Sequence, residues 1–230
     1  MKKPHHYKQI LDAFETTWKH ERDIEAITPF FDEPLDDLML TVLSQNTNDR
    51  NRDKAFDRLR AKFPTWSETA EAPVEEIADC IRVAGLGDTK SARMKEILAI
   101  IKEKFGEYSI RAMRDWETEK ARSFLVSLPG VGVKTAGVVL VFDLGKAAFP
   151  VDTHVSRISR RLGWAAEKTP PDKIQEYLEA TLPPERFGGA HLNMIEHGRG
   201  ICDARKPLCE KCLAKKWCEY GAEQNTGQEE

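Results

Sequence analysis

Apolar residues recur at three- and four-residue steps along nearly the whole chain. Tyr7, Ile10, Leu11, Phe14 and Trp18 form one such stripe, and Leu35, Leu38, Met39, Val42 and Leu43 form a second, entered through Pro34. That period is the helical one and gathers each set on one face. The same pattern predicts helices near 49–62, 74–83, 89–105, 117–127, 133–144, 153–162, 171–181 and 186–200. Between them stand breakers: Pro64, Pro73, Gly85 with Gly87, Gly106, Pro129 with Gly130, Gly145, Gly163, and Pro183 with Pro184. Alternation of apolar and polar residues is scarce, so the expected fold is all-α with almost no sheet. Stripes that face several directions predict packed helical layers rather than a coiled coil. The polar stretch after Tyr220, GAEQNTGQEE, is expected to be disordered. There is no convincing internal repeat.

With 230 residues the chain is long enough for one large domain or two small ones with a buried core. The opening MKKPHHYKQI holds no apolar run, and no stretch approaches the length needed to cross a bilayer, so a cytoplasmic protein is expected. A formal net charge of −3 argues against coating nucleic acid by charge alone. Local basic faces change that picture. Arg157, Arg160 and Arg161 cluster on one segment, and Arg199, Arg205, Lys206, Lys211, Lys215 and Lys216 surround the last cysteines.

Those cysteines are Cys202, Cys209, Cys212 and Cys218, spaced C-x6-C-x2-C-x5-C. A zinc ribbon would need two separated C-x2-C pairs, and this loop has one. Four thiolates in one short loop suit a cubane iron–sulfur cluster. Disulfides, or thiols with no shared ligand, are the plainer alternative, disfavoured in a reducing compartment. Cys80, between Ile77 and Ile81, is expected to be a buried core residue.

A second constellation lies upstream. In Leu128-Pro129-Gly130-Val131-Gly132-Val133-Lys134 the glycines permit a tight turn between two apolar helices, and a helix N-terminus offers backbone N–H groups to phosphate. A helix–helix connector explains the glycines equally well. Lys134 does not fit that bland role, because a cation in a first turn opposes the helix dipole. The dipole and burial are expected to lower its pKa, as a nucleophilic amine requires. Asp152 precedes a stripe of Val155, Ile158 and Leu162 and reads as an N-cap. A cap also holds the carboxylate ionised and in place, where it can stabilise positive charge developing on a sugar. His154 reads as a hydrogen-bonded structural histidine.

LPGVGVKTAGVVL resembles the helix–hairpin–helix of the endonuclease III family of DNA glycosylases. AFPVDTHVSRISRRLGW resembles the aspartate segment that follows it, and HGRGICDARKPLCEKCLAKKWCEY resembles its 4Fe–4S loop. The N-terminal half is similar more loosely, through LSQNTND and VAGLGDTKSARMKEI. The resemblance implies two helical domains flanking a DNA-binding cleft. Residues 27–146 would form a helical barrel with the hairpin, and 1–26 with 147–220 the cluster domain, ahead of a disordered 221–230. It implies a 4Fe–4S cofactor on the four cysteines and, as partner, double-stranded DNA carrying damaged bases or abasic sites. A monomer is the family default. Lys134 would be the nucleophile and Asp152 the essential carboxylate of a bifunctional glycosylase/AP lyase for oxidised pyrimidines. The hairpin from Gly130 through Val131 to Gly132 would hold a phosphate, with Arg205, Lys206 and Lys211 on the backbone near the cluster.

Relatives that only remove bases usually lack a lysine at the Lys134 position. The adenine-specific ones also carry a further C-terminal domain, not expected where the chain ends soon after Cys218. The family places a glutamine where the flipped base leaves a gap. Here Asn46 falls at that position with Gln45 just before it, so either is a candidate plug. Leu86 matches an apolar wedge, or else is a core contact at a helix end. The rival readings are a glycosylase for uracil or for mismatched or modified pyrimidines, and a non-catalytic Fe–S protein that binds damaged DNA.

Overall fold

The computed structural model describes residues 4–20 and 30–226. Among them the chain forms α1 (Tyr7–Trp18), α2 (Pro34–Ser44), α3 (Asp49–Lys62), α4 (Trp66–Glu71), α5 (Val74–Ile81) and α6 (Gly87–Phe105). These are followed by α7 (Thr118–Ser127), α8 (Val133–Phe142), α9 (Thr153–Arg161), α10 (Pro171–Thr181), α11 (Phe187–Gly200) and α12 (Glu219–Thr226). No strand occurs among the described residues, so the all-α expectation holds there. Caps and prolines explain several of the helix starts. Asn48 accepts the Asn51 N–H to open α3, and Pro34 and Pro171 occupy first turns where no N–H is needed. The apolar period is too short to reveal α4, yet Thr65 and Glu68 form a reciprocal capping box around its start, a signal present in the sequence as T-x-x-E. The expectation of disorder from residue 221 is corrected by α12, which continues to Thr226; residues 227–230 lie outside the described residues.

Two compact units emerge, one of Pro29–Leu144 and one of Met1–Thr28 with Gly145–Glu230. The N-terminal junction expected between 26 and 27 lies outside the described residues. In the Pro29–Leu144 unit, α2 packs on α3 and α8, and α5 on α3 and α6. Leu35, Leu38, Met39, Val42 and Leu43 of α2 are buried, as their stripe predicts. Glu33 caps α2 through the Leu35 N–H, and its carboxylate also accepts from Ser109 Oγ at 2.7 Å and Ile110 N at 3.1 Å, fastening a distant loop to the helix start. Cys80 departs from expectation. It is only half-buried, in a shallow depression with Arg58, Ala61, Lys62 and Asp79, because it sits at the rim of the α5 stripe rather than on it.

This unit also buries two acids that no pattern announces. Asp37 on α2 is 4% exposed and Asp143, at the end of α8, is 1% exposed; their carboxyls are hydrogen-bonded to one another. Burial, then the charge of Asp37, pushes the Asp143 carboxyl up to about 8. Phe31 N donates to Asp143 Oδ1 at 3.0 Å. A carboxyl raised in the fold takes up a proton on folding, so its stability contribution is greatest below the unfolded pKa near 4 and declines as pH rises towards 8. Asp143→Asn retains the acceptor for Phe31 and removes the buried charge. It should raise stability at pH 8.5 by on the order of 2 kcal/mol and leave it nearly unchanged at pH 4.5. Thermal melts at the two pH values check this; equal shifts at both would refute the raised Asp143 carboxyl.

In the other unit α1 packs on α11, and α11 on α9. Ile10, Leu11, Phe14, Val155, Ile158, Trp164, Leu178, Phe187 and Met194 build its core. Gly198 of α11 lets His154 approach closely, since a Cβ there would stand 2.5 Å from His154 Nδ1. No helix among the described residues is long and apolar enough to cross a membrane.

Candidate active site

The hairpin between α7 and α8 is a tight turn. Val131 N donates to Leu128 O at 3.1 Å across Pro129 and a Gly130 at φ 72°, the pattern of a type II turn, which requires glycine at its third position. Arg93 lies over Gly130 so closely that a Cβ would meet its Cδ at 2.8 Å. The turn changes one expectation. The Val131 side chain is buried and its N–H is already bonded, so Val131 builds the hairpin. The donors left for an anion begin at Gly132, the N-cap of α8, and run into a first turn whose N–H groups lack intrahelical acceptors. Lys134 stands in that turn, half-buried. It exerts a favourable field on the Asp37 carboxylate, which burial otherwise keeps towards its neutral form.

Gln45 and Asn46, neighbours in sequence, have different fates. Gln45 Nε2 donates to Gly130 O at 2.9 Å, and its Oε1 accepts from Arg93 at 3.2 Å. That side chain is committed to bracing the hairpin. Asn46 is exposed and held at φ 54°. Leu86 is 55% exposed at φ 52°, which excludes the alternative of a core contact.

In the other unit Asp152 is the N-cap of α9, with Oδ1 accepting the Val155 N–H at 2.8 Å. His154 is hydrogen-bonded to Arg157 at 3.0 Å, as its structural reading predicts. The arginines of α9 do not form the phosphate-binding face that their clustering suggested. Arg157 donates to Cys202 O and Gly198 O, and Arg161 to Cys202 O and Sγ, Asp203 O and Ala204 O, while Arg160 donates to Thr169 O. Arg157 and Arg161 secure the cysteine loop, because its irregular backbone offers carbonyls with no helical partners. Arg205, Lys206 and Lys211 remain exposed. Asp203 accepts the N–H groups of Arg205 and Lys206, fixing that turn, and these bonds hold its carboxyl below the usual range.

Cys202, Cys209, Cys212 and Cys218 are all unpaired and line one cavity, closed by Phe14, Ile158, Leu162 and His197. This excludes the disulfide alternative in the present structure. Among the described residues no three acidic, thiol or imidazole side chains converge on a single ion. Four thiols lining one space match the ligand number of a 4Fe–4S cluster and equally of a four-cysteine zinc site. Burial pushes the Cys212 thiol up to about 11 and raises Cys209 and Cys218, so thiolates here need a strong positive centre between them. His197 was not legible in the sequence. Trp18 Nε1 donates to its Nδ1 at 3.4 Å, which puts the imidazole proton on Nε2, 3.5 Å from Cys212 Sγ. Burial lowers its pKa to about 4, so the ring is the neutral tautomer at physiological pH.

Hairpin, capped aspartate and cysteine loop on an all-α framework define a helix–hairpin–helix class of DNA-acting proteins. Residues 39–184 match the family described as HhH-GPD superfamily base excision DNA repair protein. The chain is similar to endonuclease III of Thermotoga maritima, 39% identical over 85% of this chain and 87% of that one. Endonuclease III of Sulfolobus acidocaldarius is 34% identical over 80% of each. A solved structure described as a trapped endonuclease III–DNA covalent intermediate superimposes with a TM-score of 0.81 at 29% identity, covering 98% of this chain and all of that one. The chain belongs to the endonuclease III family, DNA glycosylases with AP lyase activity.

Proposed function

We propose that this enzyme excises oxidised pyrimidines from double-stranded DNA through a Schiff base on Lys134 and then cuts the strand by β-elimination. The observation that carries this reading is a lysine in the first turn of α8, directly behind a glycine hairpin whose donors suit a backbone phosphate. The trapped covalent complex of a relative with the same fold supports it. The N–H groups from Gly132 onward set the register on the backbone, with Gly130 shaping the turn that presents them; Arg205, Lys206 and Lys211 add phosphate contacts, and Leu86 unstacks the bases. Asn46, free where Gln45 is committed, fills the gap left by the flipped nucleotide.

The neutral amine of Lys134 attacks C1′ of the deoxyribose, and the base departs with the glycosidic electron pair and is protonated. Positive charge develops on the sugar as that bond breaks, and the fixed carboxylate of Asp152 stabilises it. The amine bound at C1′ opens the sugar ring to give an iminium. That electron sink acidifies the C2′ proton; its loss expels the 3′ phosphate, and water then releases Lys134 from the product.

Cys202, Cys209, Cys212 and Cys218 would hold a 4Fe–4S cluster, which when bound supplies a positive core for four thiolate ligands. Its place between Arg161, His197 and the loop carrying Arg205 and Lys206 suits a structural brace. The purified protein should contain about four irons per chain and absorb at about 400 nm; colourless, zinc-loaded protein would overturn this assignment.

Duplexes carrying thymine glycol, 5-hydroxycytosine, uracil or a T·G mismatch test the substrate. The expected result is strand cleavage 3′ to the first two lesions. Cleavage confined to uracil or the mismatch, or none at thymine glycol and 5-hydroxycytosine, would displace the oxidised-pyrimidine reading.

A further inference from the structure

Lys90, in the first turn of α6, is 1% exposed, and its Nζ reaches two backbone carbonyls that no helix satisfies. It donates to Leu43 O at 2.8 Å, in the last turn of α2, and to Ala84 O at 2.9 Å, at the end of the 3-10 turn Arg82–Ala84. Both carbonyls lie at helix C-termini, where the dipole favours a cation. The chain then runs within three residues from Leu43 to Asn46, and within two from Ala84 to Leu86.

Those two residues share a second property. Asn46 and Leu86 are held at φ 54° and 52°, and among the described residues only His6 and Lys19 are other non-glycine residues with positive φ. Asparagine tolerates this conformation, but a leucine does not adopt it without restraint. Both are also exposed. Two strained, outward residues thus flank one buried amine, whose two hydrogen bonds reach the segments that carry them.

We propose that Lys90 is a positioning residue that ties the loop after α2 to the loop before α6, so that Asn46 and Leu86 act on the duplex as a single element. The proposal rests on Asn46 as plug and Leu86 as wedge. It adds that neither is held by its own loop alone.

The test uses the full-length, cluster-containing protein, with 2-aminopurine beside thymine glycol in a duplex to report unstacking. Lys90→Met, shown folded by far-UV circular dichroism and the absorbance of the iron-containing protein, should lose most of the fluorescence rise. Its single-turnover excision should fall at least tenfold, while borohydride trapping on a single-stranded abasic site, which needs neither plug nor wedge, stays within twofold of wild type. A proportionate fall in both reactions, or in neither, would overturn the role of Lys90. Asn46→Ala and Leu86→Ala, measured first, separate the two ideas. If neither lowers the fluorescence rise, the plug-and-wedge reading fails and takes this proposal with it. If they do and Lys90→Met does not, only the tie fails. Should Lys90→Met not fold, the double variant Asn46→Ala/Leu86→Ala decides. A loss no larger than the greater single loss supports one element, and losses that multiply refute it.

Discussion

Lys134→Gln will leave no borohydride-trapped adduct on DNA with an abasic site or a thymine glycol, and excision will fall by on the order of 10⁴- to 10⁶-fold. Glutamine keeps most of the stem and a polar end but has no amine to form an iminium. Loss of a covalent nucleophile removes a route rather than weakening a contact, so the effect is close to total. The substitution should not weaken binding to match. Lys134 is half-buried in the first turn of α8, and the donors at Gly132 and beyond belong to the backbone, which the change leaves in place. Affinity for abasic-site DNA, measured by fluorescence anisotropy, should stay within about tenfold, the value of one or two phosphate or charge contacts at most. An adduct that persists in Lys134→Gln would place the nucleophile elsewhere.

The second large effect separates the two roles of Asp152. Its Oδ1 accepts the Val155 N–H as the N-cap of α9. Asparagine caps a helix about as well as aspartate, so Asp152→Asn should change stability by less than about 0.5 kcal/mol. It carries no charge, however, and cannot stabilise an electron-poor sugar. Base excision should therefore fall about 10²- to 10⁴-fold, a range typical of losing one preorganised electrostatic or acid–base group. Asp152→Ala should show the same catalytic loss with about 1 kcal/mol of destabilisation added. Single-turnover excision and thermal melts on the pair of variants give both numbers. Normal excision by folded Asp152→Asn would reduce Asp152 to a cap.

Packing between helices, not local sequence, places the two buried acids of the Pro29–Leu144 unit. Asp37 and Asp143 come together because α2 packs on α8, and nothing in the local pattern of either helix marks them as partners. Asp37 sits among the first-turn residues of α2, where an acid is ordinarily explained by the helix dipole. That local reason is satisfied whether or not the side chain is buried.

Most of the helices and the four-cysteine loop were legible in the sequence alone, and so were the two residues proposed for catalysis. Helical stripes, caps and the C-x6-C-x2-C-x5-C loop are settled by residues within a few positions of one another, so their signals stand next to each other in the chain. The short α4 was also written there, in the Thr65–Glu68 box, although its apolar pattern was too brief to show it. What only the tertiary structure decided depends on partners far apart. Gln45 is spent on Gly130, 85 residues away, which leaves Asn46 free; Lys90 finds Leu43 across 47 residues. Arg157 and Arg161 turned from a phosphate face into supports for the cysteine loop, more than 40 residues downstream. A side chain's type fixes which bonds it can make, but a polar group goes to whichever unsatisfied carbonyl, amide or thiol the packing brings within about 3 Å, and that choice is made only when the helices meet.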